Sequence, residues 1–234
     1  LSPLVEAGSS GPWITPIMQA AIFTEPIYLP GGGGVLTVSL ISRRSSEHAG
    51  TRFKTRGLND AGAAANFVET EQVLHLSLSN TMKETTKAAA IASHVFLRGS
   101  CPLFWEQRGM RSLNPKPKVS RVTELAAPAL RVHLDKLIQL YGPVLLLSLL
   151  EETGGESELH NALSACMATL TPPKGRLTDA FMKTFDFHHH TKASRAEGIR
   201  VLVHQLSTIE PAARRPSSYE DGRRALVRRD QIRS

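Results

Sequence analysis

The chain has 234 residues, 41% hydrophobic and 21% charged, the balance of a soluble globular protein with room for one main core rather than of a disordered or fibrous chain. Its formal net charge of +7 suits a phosphate-bearing partner, but no run of stacking aromatics and no zinc-finger or RNP-like spacing accompanies the cations, so nucleic acid is not expected. Two cysteines, Cys101 and Cys166, are too few for a disulfide framework or a zinc site and fit a reducing, cytosolic setting.

Residues 1–12 form a Gly/Ser/Pro-rich lead-in without the pattern of a signal peptide, and a start at Leu1 is expected of a fragment. The apolar stretch Trp13 to Phe23 predicts a helix or a strand, with an irregular start at Pro16. Gly31 to Gly34 marks a turn, and Val35 to Ser42 is rich in strand formers. The glycine run carries no lysine or hydroxyl at P-loop spacing, so no phosphate cradle is expected there. A second strand is predicted from Ala65 through Leu76 and a third from His94 to Leu97, with residues 77–92 between them read as an inserted loop or short helix. The segment Asn114-Pro115-Lys116-Pro117-Lys118 predicts an extended cationic connection.

Beyond it, Leu130, Leu134, Leu137, Ile138 and Leu140 recur near helical spacing, which predicts an amphipathic helix over 129–140. Tyr141-Gly142-Pro143 then turns into a buried strand over 144–150; the run from Leu137 to Leu150 is broken and too short to cross a bilayer, which takes about 20 apolar residues. A second helix is expected over 156–170, with Leu159, Ala162, Leu163 and Cys166 inward. Strands first and helices alternating with strands afterwards favour an α/β or α+β domain with a mixed β-sheet flanked by helices. The tail 211–234 has seven arginines against three acidic residues and few apolar ones. It is expected to be a frayed helix or disordered arm, a solvated charged end in preference to an electrostatic membrane clamp.

Chemistry-bearing residues concentrate in three places. Arg52, Lys54 and Arg56, two apart and preceded by Arg43-Arg44, would share one face if extended, making either a phosphate site or a basic edge strand; spacing alone does not choose. Glu69 and Glu71 share a strand face opposite Val68 and Thr70, and a role in positioning those arginines is preferred to acid/base work. Arg98-Gly99-Ser100 follows a short strand, its glycine permitting close backbone approach and its arginine facing a ligand or an acidic neighbour. The run His188-His189-His190 points in different directions on any regular element, and no metal site is expected from it.

These residues resemble the Sac phosphoinositide phosphatase domain. The resemblance runs from about residue 13 to about residue 205 and is carried by Trp13-Ile14-Thr15-Pro16, by Ile41-Ser42-Arg43-Arg44 with Ala49 to Arg56-Gly57, by Asn66-Phe67-Val68-Glu69-Thr70-Glu71-Gln72, by Arg98-Gly99-Ser100-Cys101-Pro102-Leu103-Phe104-Trp105, and by Phe185-Asp186-Phe187-His188. His48, Ala20 and Phe96 depart from the family pattern. The resemblance implies a partial Sac catalytic core over 13–210 and cofactor-free hydrolysis of phosphate from a phosphoinositide headgroup by a cysteine in a Cys-x5-Arg loop. It implies Arg52, Arg56 and Arg98 as substrate-binding residues and Asn66, Glu69, Glu71 and Gln72 as positioning residues, with His188 in a structural hydrogen-bonding role. The sixth residue after Cys101 is Gln107 and after Cys166 is Pro172, so neither cysteine opens that loop. The chain is therefore expected to be a fragment inactive by itself, peripheral to cytoplasmic membrane surfaces; a non-catalytic module binding anionic lipid or protein is the alternative.

Overall fold

The computed structural model describes residues 18–50, 55–78, 87–107, 115–171 and 179–208. They make an α+β fold in two compact units, one of Leu1–Arg44 with Val68–Phe96 and one of Ser45–Phe67 with Leu97–Ser234.

The first unit is a four-stranded sheet of β1 (Ala20–Tyr28), β2 (Val35–Arg44), β3 (Val68–Leu78) and β4 (Lys87–Arg98), in that spatial order, with the last two residues of β4 belonging to the second unit. β1–β2 and β2–β3 are antiparallel. A 3-10 turn at Pro30–Gly32 closes the first hairpin. Register sorts the side chains by chemistry. Phe23 faces Leu40, Ile27 faces Leu36, and Leu36 and Val38 face Leu76 and Leu74, so one face is largely apolar, with Glu25 and Gln72 among its polar members. Thr24, Ser39, Arg43, Glu69, Glu71 and His75 occupy the other, together with Ile22, Ile41 and Val73.

The second unit holds the core. A short antiparallel pair, β5 (Trp105–Glu106) and β6 (Lys118–Val119), leads into α1 (Thr123–Tyr141). β7 (Val144–Ser148) runs parallel to β8 (Ala180–Thr184), joined through α2 (Ser157–Leu170), and α3 (Phe187–Thr191) and α4 (Arg195–Ser207) follow. The α1 stripe Leu130, Leu134, Leu137 and the α2 stripe Leu159, Leu163, Cys166, Met167, Leu170 are buried. Leu58, Ala64, Leu103 and Phe104 from the loops join them. Each fully buried leucine contributes roughly 2 kcal/mol by withdrawing its apolar surface from water.

Several boundaries differ from expectation. Residues 87–92 are strand rather than loop or helix, since ladder pairing overrides the helix propensity of their alanines; 79–86 lie outside the described residues. β3 starts at Val68 instead of Ala65 because Asn66 is left-handed, at φ 54°. α1 starts at Thr123, with Pro128 inside it. The proline removes the partner of the Glu124 carbonyl and crowds it, but the helix continues through it because Ala126, Ala127, Ala129 and Leu130 on either side are buried in the core. Leu140, near the end of α1, is exposed rather than inward, and β7 stops at Ser148. Trp13 to Ile17 and the tail 211–234 lie outside the described residues.

Candidate functional site

Three segments distant in sequence meet in the second unit. The Gly57 N–H donates to Ser100 Oγ at 2.9 Å, the Ala65 N–H to the Gly57 carbonyl at 2.8 Å, the Ser100 N–H to the Ala65 carbonyl at 2.9 Å, and the Leu58 N–H to the Leu103 carbonyl at 2.8 Å. Asn66 Nδ2 adds a bond to the Thr55 carbonyl at 3.2 Å. These bonds tie Arg56-Gly57, Asn66 and Arg98-Gly99-Ser100 into one knot. Gly57 is required there: its φ is 68°, and a Cβ would collide with the Leu103 carbonyl oxygen and lie 2.9 Å from the Trp105 ring.

The cations of the knot are held differently. Arg56 donates to Gln107 Oε1 at 3.0 Å, and its guanidinium carbon stands 5.4 Å from the Trp105 ring centre. Arg98 is exposed at the end of β4, with no side-chain hydrogen bond or ion pair among the described residues. Arg52 lies outside the described residues. Arg121, which sequence reasoning passed over, bonds Asp60 and stacks 3.7 Å from the Phe104 ring centre. That contact holds the Asp60 carboxyl below its ordinary pKa.

The acidic pair sits on the sheet, in the first unit. Glu69 and Glu71 project to one face while Val68 and Thr70 are buried on the other. The guanidinium between the two carboxylates is that of Arg43, at 2.6 Å from Glu69 and 3.3 Å from Glu71. Ser93 donates to Glu71 at 2.9 Å. Gln72, across from Leu40, points to the opposite face. Cross-strand register, with Arg43 opposite Glu69, is the signal that finds this partner, and a single sequence does not contain it.

Neither thiol is activated. Burial pushes Cys101 up to about 12, with Cys166 and Glu156 adding to the rise, and burial raises Cys166 against a hydrogen bond from Thr123. The histidine run forms α3, capped by Asp186, which accepts from the His189 N–H at 2.8 Å. That bond holds the Asp186 carboxyl below its ordinary value. His190 stacks on Phe185 at 4.5 Å, whereas His188 is exposed and its ring has no hydrogen-bond partner among the described residues, contrary to the structural role expected of it. No group of three or more His, Cys, Asp or Glu able to hold a metal occurs among the described residues. No helix among them is long and apolar enough to cross a membrane.

The profile of the SacI homology domain matches residues 1–192. The chain belongs to the SacI homology family. It is 35% identical over 191 residues to mouse synaptojanin-1, covering 82% of this chain and 11% of that protein. It is 37% identical to human synaptojanin-2, over 82% of this chain and 12% of that protein. With the zebrafish phosphatidylinositol-3-phosphatase SAC1-A it shares 32% identity over 83% of this chain and 30% of the relative. The chain thus spans only about a tenth of the length of the synaptojanins it matches. In this Sac chain the Arg-Gly, Asn and Arg-Gly-Ser motifs supply the members of the knot, and the Glu-Thr-Glu motif supplies the paired carboxylates on the sheet.

Proposed function

We propose that this chain is part of a Sac phosphoinositide phosphatase, a protein that hydrolyses phosphate from phosphatidylinositol phosphates such as phosphatidylinositol 4-phosphate. In this reading it works at the cytoplasmic surface of membranes, and Arg56 and Arg98, with Arg52, receive the phosphorylated headgroup. Asn66 is a positioning residue within the knot. Glu69 and Glu71 orient cations, Arg43 first among them, and Gln72 is the remaining positioning candidate of that motif.

The observation that carries the reading is the hydrogen-bonded knot, which brings Arg56 and Arg98 onto neighbouring backbone although 42 positions separate them. Guanidinium groups on a braced backbone suit phosphate oxygens, because little ordering remains to be done when the ligand arrives. The printed name of one relative, phosphatidylinositol-3-phosphatase SAC1-A, points to the same substrate class. Catalysis by this sequence alone is not part of the proposal. Neither cysteine opens a Cys-x5-Arg loop, and both thiols are held protonated.

The test combines phosphate release and co-sedimentation on vesicles with and without phosphatidylinositol 4-phosphate, using the purified chain. Expected are sedimentation that requires the phosphorylated lipid, weakens with salt and drops in Arg56→Ala and Arg98→Ala, and no release. Sedimentation on any anionic vesicle alike would leave only a general charge effect, and release abolished by Cys101→Ser or Cys166→Ser would overturn the statement that neither thiol attacks.

A further inference from the structure

We propose that His133 is a positioning residue for the knot. From the middle of α1 it holds the loop 59–64 through the Gly62 carbonyl and the corner after Asn66 through the Phe67 ring, and so fixes where Arg56, Asn66 and Arg98 stand. Only the ligand, a phosphoinositide headgroup, rests on the function proposed above; the positioning stands on the contacts alone.

His133 occupies the buried stripe of α1, three residues after Leu130, and is 8% exposed. A leucine would fill that position as well, so packing does not explain an imidazole there. Its Nδ1 lies 2.9 Å from the Gly62 carbonyl oxygen. A carbonyl only accepts, so Nδ1 carries the proton and donates. The loop is pressed onto the helix at this point: Gly62 has φ 74°, and a Cβ there would sit 3.1 Å from the His133 backbone nitrogen and 2.9 Å from Val132 Cγ1. The neighbouring carbonyls are held too, Ala61 by Lys136 Nζ at 3.1 Å and Ala63 by His48 Nδ1 at 3.0 Å. Of these three, His133 is the buried one.

The second contact reaches the other end of the segment. The His133 ring meets Phe67 edge-on, with centroids 6.0 Å apart and planes at 88°. Phe67 in turn backs Gly99, where a Cβ would lie 3.2 Å from its Cδ2. A path of direct contacts therefore runs from α1 through His133 and Phe67 to the backbone beside Arg98. A parallel path runs through Gly62 and Ala64 to Ala65, whose N–H and carbonyl bond Gly57 and Ser100. One side chain braces both.

The experiment compares His133→Leu, which keeps bulk and removes the donor, with His133→Asn, whose Nδ2 can take the place of Nδ1. Hydrogen exchange is read at the Gly57, Ala65 and Ser100 amides, with Leu163 in α2 as reference, and vesicle sedimentation is read in the same preparations. In His133→Leu the three amides should exchange about tenfold faster, the size expected for a lost buried hydrogen bond, with Leu163 unmoved. Sedimentation on phosphatidylinositol 4-phosphate vesicles should fall about as much, and His133→Asn should restore both to within about twofold. Unchanged exchange in His133→Leu, or equal loss in both variants, overturns the positioning role whatever the vesicles show. Faster exchange together with sedimentation that ignores the phosphorylated lipid upholds the brace and overturns the headgroup as its ligand.

Discussion

The two units place apolar side chains in opposite ways. In the second, Phe185, Leu103, Leu130, Leu134, Leu159, Leu163 and Cys166 are fully buried. In the first, the described residues bury only Val68 and Thr70, while Ile22, Phe23, Ile27, Tyr28, Ile91 and Phe96 stand exposed. One unit is held by a core, the other by a ladder of backbone bonds with apolar side chains exposed on both faces, Phe23 and Ile27 on one and Ile22 and Tyr28 on the other.

Mutations can break this contrast. Leu134→Ala, in the centre of α1, should cost about 3 kcal/mol in a denaturant titration, whereas Ile22→Ala on the sheet should stay within about 0.5 kcal/mol. Comparable losses at the two sites would mean that the sheet is packed as tightly as the core. Gly57→Ala should cost about 2 kcal/mol, since its backbone is left-handed and the Leu103 carbonyl leaves no room; a neutral result would remove the knot from the rigid part of the molecule. Arg43→Met should cost about 1 kcal/mol at most, because the ion pairs with Glu69 and Glu71 are partly exposed and screened.

The smallest effect is set by pH. Burial holds His133 below its ordinary value of 6.5, so on acidification the unfolded chain takes up a proton before the folded one does. Its contribution is whole above that value and is lost as pH falls through the lowered one. Thermal midpoints measured from about pH 7.5 down to about pH 5 should therefore fall more steeply in the native chain than in His133→Asn. Parallel curves would show that His133 is not the group being titrated.

Much of this was legible in the sequence, for reasons that differ by element. Strand β2 was readable because its residues favour strands throughout, and α2 because its apolar spacing is regular. The start of α1 was hidden by Pro128, a residue that ends helices in most settings but here lies inside one whose flanking alanines and leucines are buried. Residues 87–92 were misread because their pairing with β3 is a long-range fact that no local window contains. The motifs Arg56-Gly57, Asn66 and Arg98-Gly99-Ser100 stood out one by one. That they bond one another was not readable, and neither were the roles of Arg43, His133 and Arg121, each of which acts on a partner far away in the chain. For His133 a local cue did exist, a polar residue on an otherwise apolar helical stripe.

The separation between Gly57 and Ser100, 43 residues along the chain, also bears on how the molecule assembles. Closing so long a loop costs entropy before any bond returns it, and the cost shrinks once β3 and β4 have paired and shortened the effective span. The knot is then a late event in folding, formed on strands already in place. Substitutions inside it should speed unfolding while leaving the refolding rate nearly unchanged.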